Sequence, residues 1–188
     1  MNRKPLKQVV AEHQKLAEHL LGIHFEKEFD SAAKILKQAV CAGKKVLICG
    51  NGGSAAESQH LAGEMVGRFL CERPGFAAIA LTTDSSVLTS VANDYSFDRI
   101  FARQIEALGA PGDILVAFST SGRSRNVLEA AKAAKKRGML VLALTGRKPN
   151  PLSLLADTSL TVPSSSTPRI QEIHAIIVHL LCLSLEQK

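Results

Sequence analysis

Hydrophobic positions recur at helical spacing in two segments near the start of the chain. Apolar residues return every three or four positions over 5–22, and again over 27–42 until the pattern stops near Gly43. Both helices precede the first strand, and they cannot easily bury both their faces on one sheet. The pattern therefore favours a helical hairpin used for oligomer contact.

From residue 44 onward, short apolar runs alternate with helical patterns. The strand candidates are Val46–Cys49, Ala77–Leu81, Ile114–Phe118, Leu140–Leu144 and Ser159–Val162. Helical patterns lie at about 54–68, 85–93, 97–108, 124–137 and 168–186, with a short turn near 151–155. This order predicts an α/β fold, a five-stranded parallel sheet flanked by helices in a Rossmann-like three-layer arrangement. No linker divides the 188 residues, so we expect one domain, with 1–43 as an N-terminal helical extension and 44–188 as the sheet core.

Two loops rich in glycine and hydroxyl groups follow the first and third predicted strands. They comprise residues 49–54, Cys-Gly-Asn-Gly-Gly-Ser, and residues 119–124, Ser-Thr-Ser-Gly-Arg-Ser. Glycine lets the backbone approach a ligand closely, and hydroxyls beside the free N–H groups of a helix start can bind phosphate. The loop 119–124 taken alone is better explained as a serine-rich helix cap and turn, and neither loop matches a Walker or dinucleotide-binding motif. Together, at the carboxyl ends of parallel strands, they predict a site for a phosphorylated small molecule.

Polar residues that could carry chemistry lie on two predicted helices. His60 and Glu64 are four residues apart and share a helix face, which suits a metal ion or acid–base chemistry as well as an ordinary surface pair. Gln171, His174 and His179 lie among apolar residues of the last helix, where we interpret His174 as a core residue. Gln171 and His179 are about 12 Å apart along a helix axis. Either both side chains lean inward to one centre, or different subunits supply them.

Composition restricts the class of partner. The net charge is +6, but the basic residues are spread along the chain, and one Tyr with no Trp makes a poor platform for stacking bases. This disfavours nucleic acid and suits an anionic metabolite. No apolar run approaches the roughly 20 residues that span a bilayer, and the N-terminus has no signal core. Four cysteines without Cys-x-x-Cys spacing indicate reduced thiols, so we expect a cytoplasmic protein with no membrane partner.

The motifs together resemble those of the bacterial phosphoheptose isomerases, enzymes with a sugar-isomerase (SIS) domain. The resemblance covers about residues 30–184 and implies a single SIS domain. In family order, the motifs are Cys49-Gly-Asn-Gly-Gly-Ser-Ala-Ala-Glu-Ser-Gln-His60, Glu64, Arg68, Arg73-Pro74-Gly75, Ala92-Asn93-Asp94, Ser119-Thr-Ser-Gly122, Leu144-Thr-Gly146 and Arg169-Ile-Gln-Glu-Ile-His174. The resemblance implies an enzyme that interconverts sedoheptulose 7-phosphate and D-glycero-D-manno-heptose 7-phosphate through an enediol. The heptose product of such an enzyme feeds lipopolysaccharide or other glycoconjugates.

The same resemblance implies roles for individual residues. Glu64 matches the candidate base of the family and His179 matches its acid partner. Zinc, one ion per subunit, is bound in the family by residues that match His60, Glu64, Gln171 and His179. The substrate-binding positions match Asn51, Gly52, Gly53, Ser54, Glu64, Arg68, Asn93, Asp94, Ser119, Thr120, Ser121, Ser124 and Gln171. The family is tetrameric with sites at subunit interfaces, so a homotetramer is expected.

One position departs from the family pattern, and two related kinds of SIS protein are alternatives to the enzyme. Glu57 stands where many of these enzymes carry Asp. A related non-enzymatic SIS protein binds the bacterial replication initiator, but it lacks the acid and base at the sites matching Glu64 and His179. Both residues are present here, which favours the enzyme. A sugar-phosphate-sensing SIS module usually accompanies a DNA-binding domain, for which this sequence leaves no segment.

Overall fold

The computed structural model describes residues 6–187, so position 5 of the predicted first helix and the ends of the predicted 1–43 and 44–188 segments lie outside the described residues. In this range the helices are α1 (Leu6–His19), α2 (Ile23–Cys41), α3 (Gly53–Val66), α4 (Ser85–Asp94), α5 (Ala102–Leu108), α6 (Arg125–Lys136), α7 (Pro151–Leu155) and α8 (Thr167–Glu186), with a 3₁₀ turn at Phe97–Arg99. The strands are β1 (Val46–Cys49), β2 (Ala78–Ala80), β3 (Ile114–Ser119), β4 (Leu140–Thr145) and β5 (Thr158–Thr161). Each strand boundary agrees with the sequence prediction to within one residue.

The five strands form one parallel sheet in the order β2-β1-β3-β4-β5, as the alternation of elements predicted. Val46 of β1 pairs with Ala78 on one side and with Ile114 on the other. The chain therefore leaves β1 toward one edge of the sheet and returns to continue on the other side. This reversal opens a crevice between the carboxyl ends of β1 and β3, from which the two glycine loops emerge.

Alternate residues of the central strands face two separate hydrophobic layers. Val46 and Ile48 pack in the layer that contains residues of α2, α3 and α8. Leu47 and Cys49 pack in the layer that contains residues of α4, α5, α6 and α7. Every residue of β1 and β3 is buried, which is typical of parallel strands covered on both faces. The predicted three-layer α/β architecture is confirmed.

The prediction of one continuous helix over residues 97–108 is wrong. It forms a 3₁₀ turn and then α5, with Ile100, Phe101 and Ala102 buried in succession across the break. A helix advances 3.6 residues per turn, so three successive side chains cannot all face one core from a continuous surface helix. The chain changes direction there to bury all three.

One helix boundary and one predicted turn also differ from the structure. The second helix begins at Ile23 rather than at residue 27, because Phe25 already lies in the core. The predicted turn near 151–155 is a short helix whose start is capped by the Asn150 side chain. Neither change moves a candidate site residue.

The N-terminal hairpin lies on the α8 side of the sheet. α1 has no buried residue, and it is joined to α8 by His13 Nδ1 at 2.9 Å from Glu172 Oε2 and by Arg169, which donates to the Val9 carbonyl at 3.0 Å. Its use in oligomer contact stays a prediction. Across residues 6–187, no helix is both long and apolar enough to cross a bilayer.

Candidate active site

A pair of side-chain amides joins the two glycine loops across the crevice. Asn51 donates through Nδ2 to Asn126 Oδ1 at 2.9 Å, and Asn126 donates through Nδ2 to Asn51 Oδ1 at 2.8 Å. Asn126 lies in the first turn of α6 and is 2% exposed. Asn126 could not be identified from the sequence, because its partner is 75 residues away and only the strand order brings the two together. The only sequence signal was an Asn two residues beyond the serine loop.

The hydroxyl groups of the serine loop, residues 119–124, lie at the start of α6. Ser119 Oγ and Ser124 Oγ lie 3.1 Å apart, and Ser121 Oγ accepts from the Arg123 N–H at 3.2 Å. Ser124 occupies the N-cap position, yet its hydroxyl caps no helix N–H group among the described residues. The Ser124 hydroxyl therefore does not act as the side-chain cap of α6. Hydroxyls beside a helix N-terminus form an arrangement suited to a phosphate.

Gly122 lets this loop close. Its φ is +63°, and a Cβ added there would lie 2.0 Å from Asn150 Oδ1. Asn150 is buried and also donates to Thr145 Oγ1 at 3.2 Å. A side chain at position 122 would collide with this amide, so the loop requires glycine.

His60, Glu64 and His179 come together where α3 and α8 lie side by side. His60 Nε2 is 3.4 Å from Glu64 Oε1 and 3.3 Å from His179 Nε2. The two imidazole rings meet edge to face, with centroids 5.0 Å apart. His60 and Glu64 are about one-third exposed, at 37% and 27% of their side chains, so a ligand can reach them. The structure thus brings together the predicted acid, the predicted base and one further predicted metal ligand.

The donor atoms of this group suit zinc. Two ligands of a tetrahedral zinc ion are about 3.3–3.4 Å apart when each lies about 2.0–2.1 Å from the metal. The two His60 separations match that spacing, and two imidazole nitrogens with a carboxylate oxygen are ordinary zinc donors. Within residues 6–187, however, no group of three or more His, Cys, Asp or Glu side chains is arranged to hold a metal ion. A single chain therefore supplies two pairs of donor atoms at zinc-ligand spacing, His60 with Glu64 and His60 with His179, but no complete set of zinc ligands.

Gln171, the fourth predicted zinc ligand, lies away from this group. A Cβ added to Gly53 would be 2.5 Å from Gln171 Nε2, so the Gln171 amide rests on the glycine loop. Gly53 precedes His60 by seven residues of α3, or about 10 Å along the helix axis. The Gln171 amide therefore lies at the N-terminal end of α3, about two helical turns before His60.

Glu57 lies on the far side of the His60 ring. Its Oε2 is 3.8 Å from His60 Nδ1, and this buried oxygen has no hydrogen-bond partner in the described part of the chain. Burial raises the pKa of the Glu57 carboxyl, while the nearby His60 and His179 oppose the rise. The acid that departs from the family pattern therefore belongs to the same group of side chains.

Arg68, Asn93 and Asp94 lie on the surface and are exposed. Arg68 Nε is 3.7 Å from Glu72 Oε2, and Asn93 donates to Asp94 Oδ1 at 2.9 Å. These polar contacts are with near neighbours in sequence and join none of the three to the loops or to the α3–α8 group. Their roles toward a substrate stay predictions.

The remaining predicted substrate positions belong to the two loops that follow β1 and β3. Gly52 is exposed with a φ of +57°, Ser54 is buried at the start of α3, and the Thr120 carbonyl accepts from Gly146 N at 3.1 Å. Their contact with a substrate also stays a prediction.

His174 is a core residue, as interpreted from the sequence. It is fully buried, its Nε2 is 3.3 Å from the Thr145 carbonyl oxygen, and its Nδ1 has no partner within residues 6–187. Burial lowers the pKa of His174 to about 4, although the Thr145 contact opposes this shift. The ring is therefore neutral at physiological pH and lies outside the candidate site.

Known proteins resemble this chain over most of its length. Residues 13–146 match the SIS domain family. The phosphoheptose isomerase of Thiobacillus denitrificans is 55% identical over 156 residues, which cover 81% of this chain and 79% of that protein. The phosphoheptose isomerase of Geotalea daltonii is 46% identical over 183 residues, covering 97% and 95%. The solved structure of a phosphoheptose isomerase from Francisella tularensis superposes with a TM-score of 0.92 at 38% identity and covers 97% of both chains.

Proposed function

Because the chain belongs to the SIS domain family and, within it, to the phosphoheptose isomerases, we propose that it converts sedoheptulose 7-phosphate into D-glycero-D-manno-heptose 7-phosphate. The observation that carries this proposal is the grouping of Glu64 and His179 around His60, between α3 and α8. The product supplies heptose for lipopolysaccharide or other glycoconjugates. The replication-initiator alternative finds no support among the relatives named above.

The proposed chemistry assigns separate tasks to the acid and the base. An aldose–ketose isomerase must remove a proton from C1, return it to C2, and stabilise the negative charge that develops on the oxygen between these steps. Glu64 moves the proton between the two carbons. His179 acts as the acid partner at the substrate oxygens. The intermediate is an enediol.

The crevice between β1 and β3 holds the other end of the substrate. Ser119, Ser121 and Ser124 bind the phosphate at the N-terminus of α6, where hydroxyls and the helix dipole both favour an anion. The amide pair of Asn51 and Asn126 keeps this loop beside the first glycine loop, which forms a wall of the sugar pocket.

Zinc is the metal that fits the donors. His60, Glu64 and His179, with Gln171, are the residues that hold it in this proposal, and the separations around His60 support that choice. When bound, zinc supplies a Lewis acid at the substrate oxygens. A carboxylate that coordinates zinc is a weaker base, so the metal either takes part in the chemistry or organises the site. Turnover with and without added zinc distinguishes these two cases.

We further propose a homotetramer whose sites form at subunit interfaces, with residues 1–43 contributing to the contacts. Gln171 lies about two helical turns from His60 in its own chain, so a neighbouring subunit is the simplest source of the fourth ligand. The hairpin exposes Leu6, Leu21 and Ile23 by 59–79%, which supports its burial in an assembly. We place the enzyme in the cytoplasm, because all four cysteines are free thiols, as expected of a reducing compartment.

Purified protein tests the proposal directly. Incubation with sedoheptulose 7-phosphate, with and without zinc, should yield the aldose 7-phosphate. Glu64→Gln should abolish turnover while binding of the ketose is largely retained, and Glu129→Gln on the outer face of α6 should behave as wild type. Absence of turnover in both metal conditions, together with binding of a replication initiator, would overturn the proposal. An active Glu64→Gln protein would overturn the assignment of the base.

A further inference from the structure

The Arg73-Pro74-Gly75 motif takes no part in the chemistry proposed above, yet Arg73 lies between the ends of α3 and α8. Its Nη2 donates to the backbone carbonyl of Glu64 at 2.8 Å, and its Nη1 donates to that of Met65 at 3.0 Å. Its Nε donates to the Glu186 carboxylate at 3.2 Å. Glu64 belongs to the last turn of α3, and Glu186 is the last residue of α8. One guanidinium therefore joins the helix that carries the base to the helix that carries the acid.

The Glu186 carboxylate also fixes the segment that follows α3. It accepts hydrogen bonds from the backbone N–H groups of Phe69 at 3.0 Å, Leu70 at 2.9 Å and Cys71 at 2.9 Å. Desolvation by itself raises the pKa of Glu186, but these three bonds and the one from Arg73 lower it to about 2. The carboxylate is therefore ionised at every pH at which the enzyme would work. Its side chain is only 2% exposed and that of Arg73 is 12% exposed, so water competes little for these bonds.

The segment held by Glu186 places an aromatic ring on the acid. The Phe69 ring lies on the His179 imidazole, with centroids 5.3 Å apart and planes inclined by 32°. His179 is otherwise exposed, so this contact limits the rotation of its ring. Arg73 is itself supported from the side by Phe76, whose ring centroid is 3.9 Å from the guanidinium carbon.

We propose that Arg73 and Glu186 form a clamp that positions Glu64 and His179 for proton transfer. The clamp is defined by the four hydrogen bonds to Glu186 and the two from Arg73 to the end of α3. It acts in two ways: it fixes the distance between the two helices, and it holds Phe69 against the His179 ring. This inference rests on the proposed function, because it explains how the isomerase keeps its acid and base aligned. Reacting groups displaced by about 1 Å commonly lose about 100-fold in rate.

Two conservative substitutions test the clamp. Glu186→Gln keeps an acceptor oxygen but removes the charge, and Arg73→Lys keeps the charge but cannot reach both helices with a planar fork. Each should lower kcat for sedoheptulose 7-phosphate by about 10- to 100-fold with KM within about 2-fold, since alignment and not binding is lost. Glu106→Gln breaks the exposed pair with Arg99 and serves as the matched control, with unchanged kcat.

Two further readouts do not depend on catalysis. Amide hydrogen exchange of residues 69–71 should accelerate in both clamp variants and remain unchanged in Glu106→Gln. The NMR resonances of the His179 ring protons should move toward those of a Phe69→Leu variant, which removes the aromatic ring but leaves the clamp intact. If the wild-type protein does not turn over the ketose, the proposed function fails, and these two readouts still decide whether the clamp positions His179.

The inference is overturned if folded Glu186→Gln and Arg73→Lys proteins keep wild-type kcat, or if their His179 resonances do not move. If either variant fails to fold, as judged by circular dichroism, Phe69→Leu decides the matter. We expect that variant to lower kcat by about 10-fold with normal hydrogen exchange at residues 69–71. Wild-type kcat in Phe69→Leu would show that the ring contact does not position His179, and would overturn the inference that the clamp acts through this ring.

Discussion

The reciprocal amides of Asn51 and Asn126 allow a quantitative test of how the crevice is held. Asn126 is buried, and its Oδ1 accepts both from Asn51 and from the Val127 N–H at 2.9 Å. Asn51→Ala removes two hydrogen bonds and leaves the Nδ2 of Asn126 buried without its partner. A net hydrogen bond contributes about 1 kcal/mol, and an unsatisfied buried polar group costs about 1–3 kcal/mol. We therefore expect Asn51→Ala and Asn126→Ala each to lower the free energy of unfolding by about 2–3 kcal/mol.

A double-mutant cycle separates the pair from other effects of each substitution. Once one amide is absent, removing the other costs less, so the double variant should lose about 1.5–2 kcal/mol less than the sum of the single variants. Urea unfolding of the four proteins at one fixed protein concentration measures these values, because any assembly makes stability depend on concentration. Losses that add to within about 0.3 kcal/mol would refute the reasoning.

Three further predictions concern the surroundings of single residues. The folded-state pKa of His174 is about 4 against an unfolded value of 6.5, so the unfolded chain gains a proton first and stability falls as pH drops from about 6.5 to 4. Urea unfolding should show this loss, about 3 kcal/mol in all, in wild type but not in His174→Leu; equal pH dependence would contradict it. Burial raises the pKa values of the Cys49 and Cys182 thiols to about 12, so a maleimide should leave both unlabelled in native protein and label them after denaturation, as mass spectrometry can check. Gly53→Ala should displace the Gln171 amide and lower kcat while changing stability by less than about 1 kcal/mol, and normal activity would contradict this.

The sequence was a good guide to the sheet because each strand is a short apolar run bounded by polar or glycine-rich residues. Parallel strands buried on both faces leave little freedom in their limits, and this is why the boundaries agree so closely. The break at Ile100 and Phe101 was not predictable from periodicity, since both residues fit a helical pattern locally. Only the position of the core shows that the chain must turn there to bury both side chains.

In the candidate site too, some contacts could be predicted from local sequence spacing and others could not. His60 and Glu64 could be paired from their spacing along one helix, because helix geometry alone places them on one face. The contacts of Asn51 with Asn126, and of Arg73 with Glu186, join residues 75 and 113 positions apart. No local pattern encodes such contacts, which depend on the strand order and on how α3 lies beside α8. Gln171 shows the same limit, since its eight-residue separation from His179 in the sequence did not indicate that its amide lies beside Gly53.

The most direct test of the central claim is a proton NMR measurement of sedoheptulose 7-phosphate incubated with the protein in D₂O. If Glu64 transfers a proton through an enediol, the anomeric signal of the aldose 7-phosphate should appear, with deuterium incorporated at C2 during exchange with solvent. A hydride shift would give the aldose without deuterium and would contradict the assigned roles of Glu64 and His179. A spectrum in which the ketose remains unchanged, with and without added zinc, would contradict the isomerase itself.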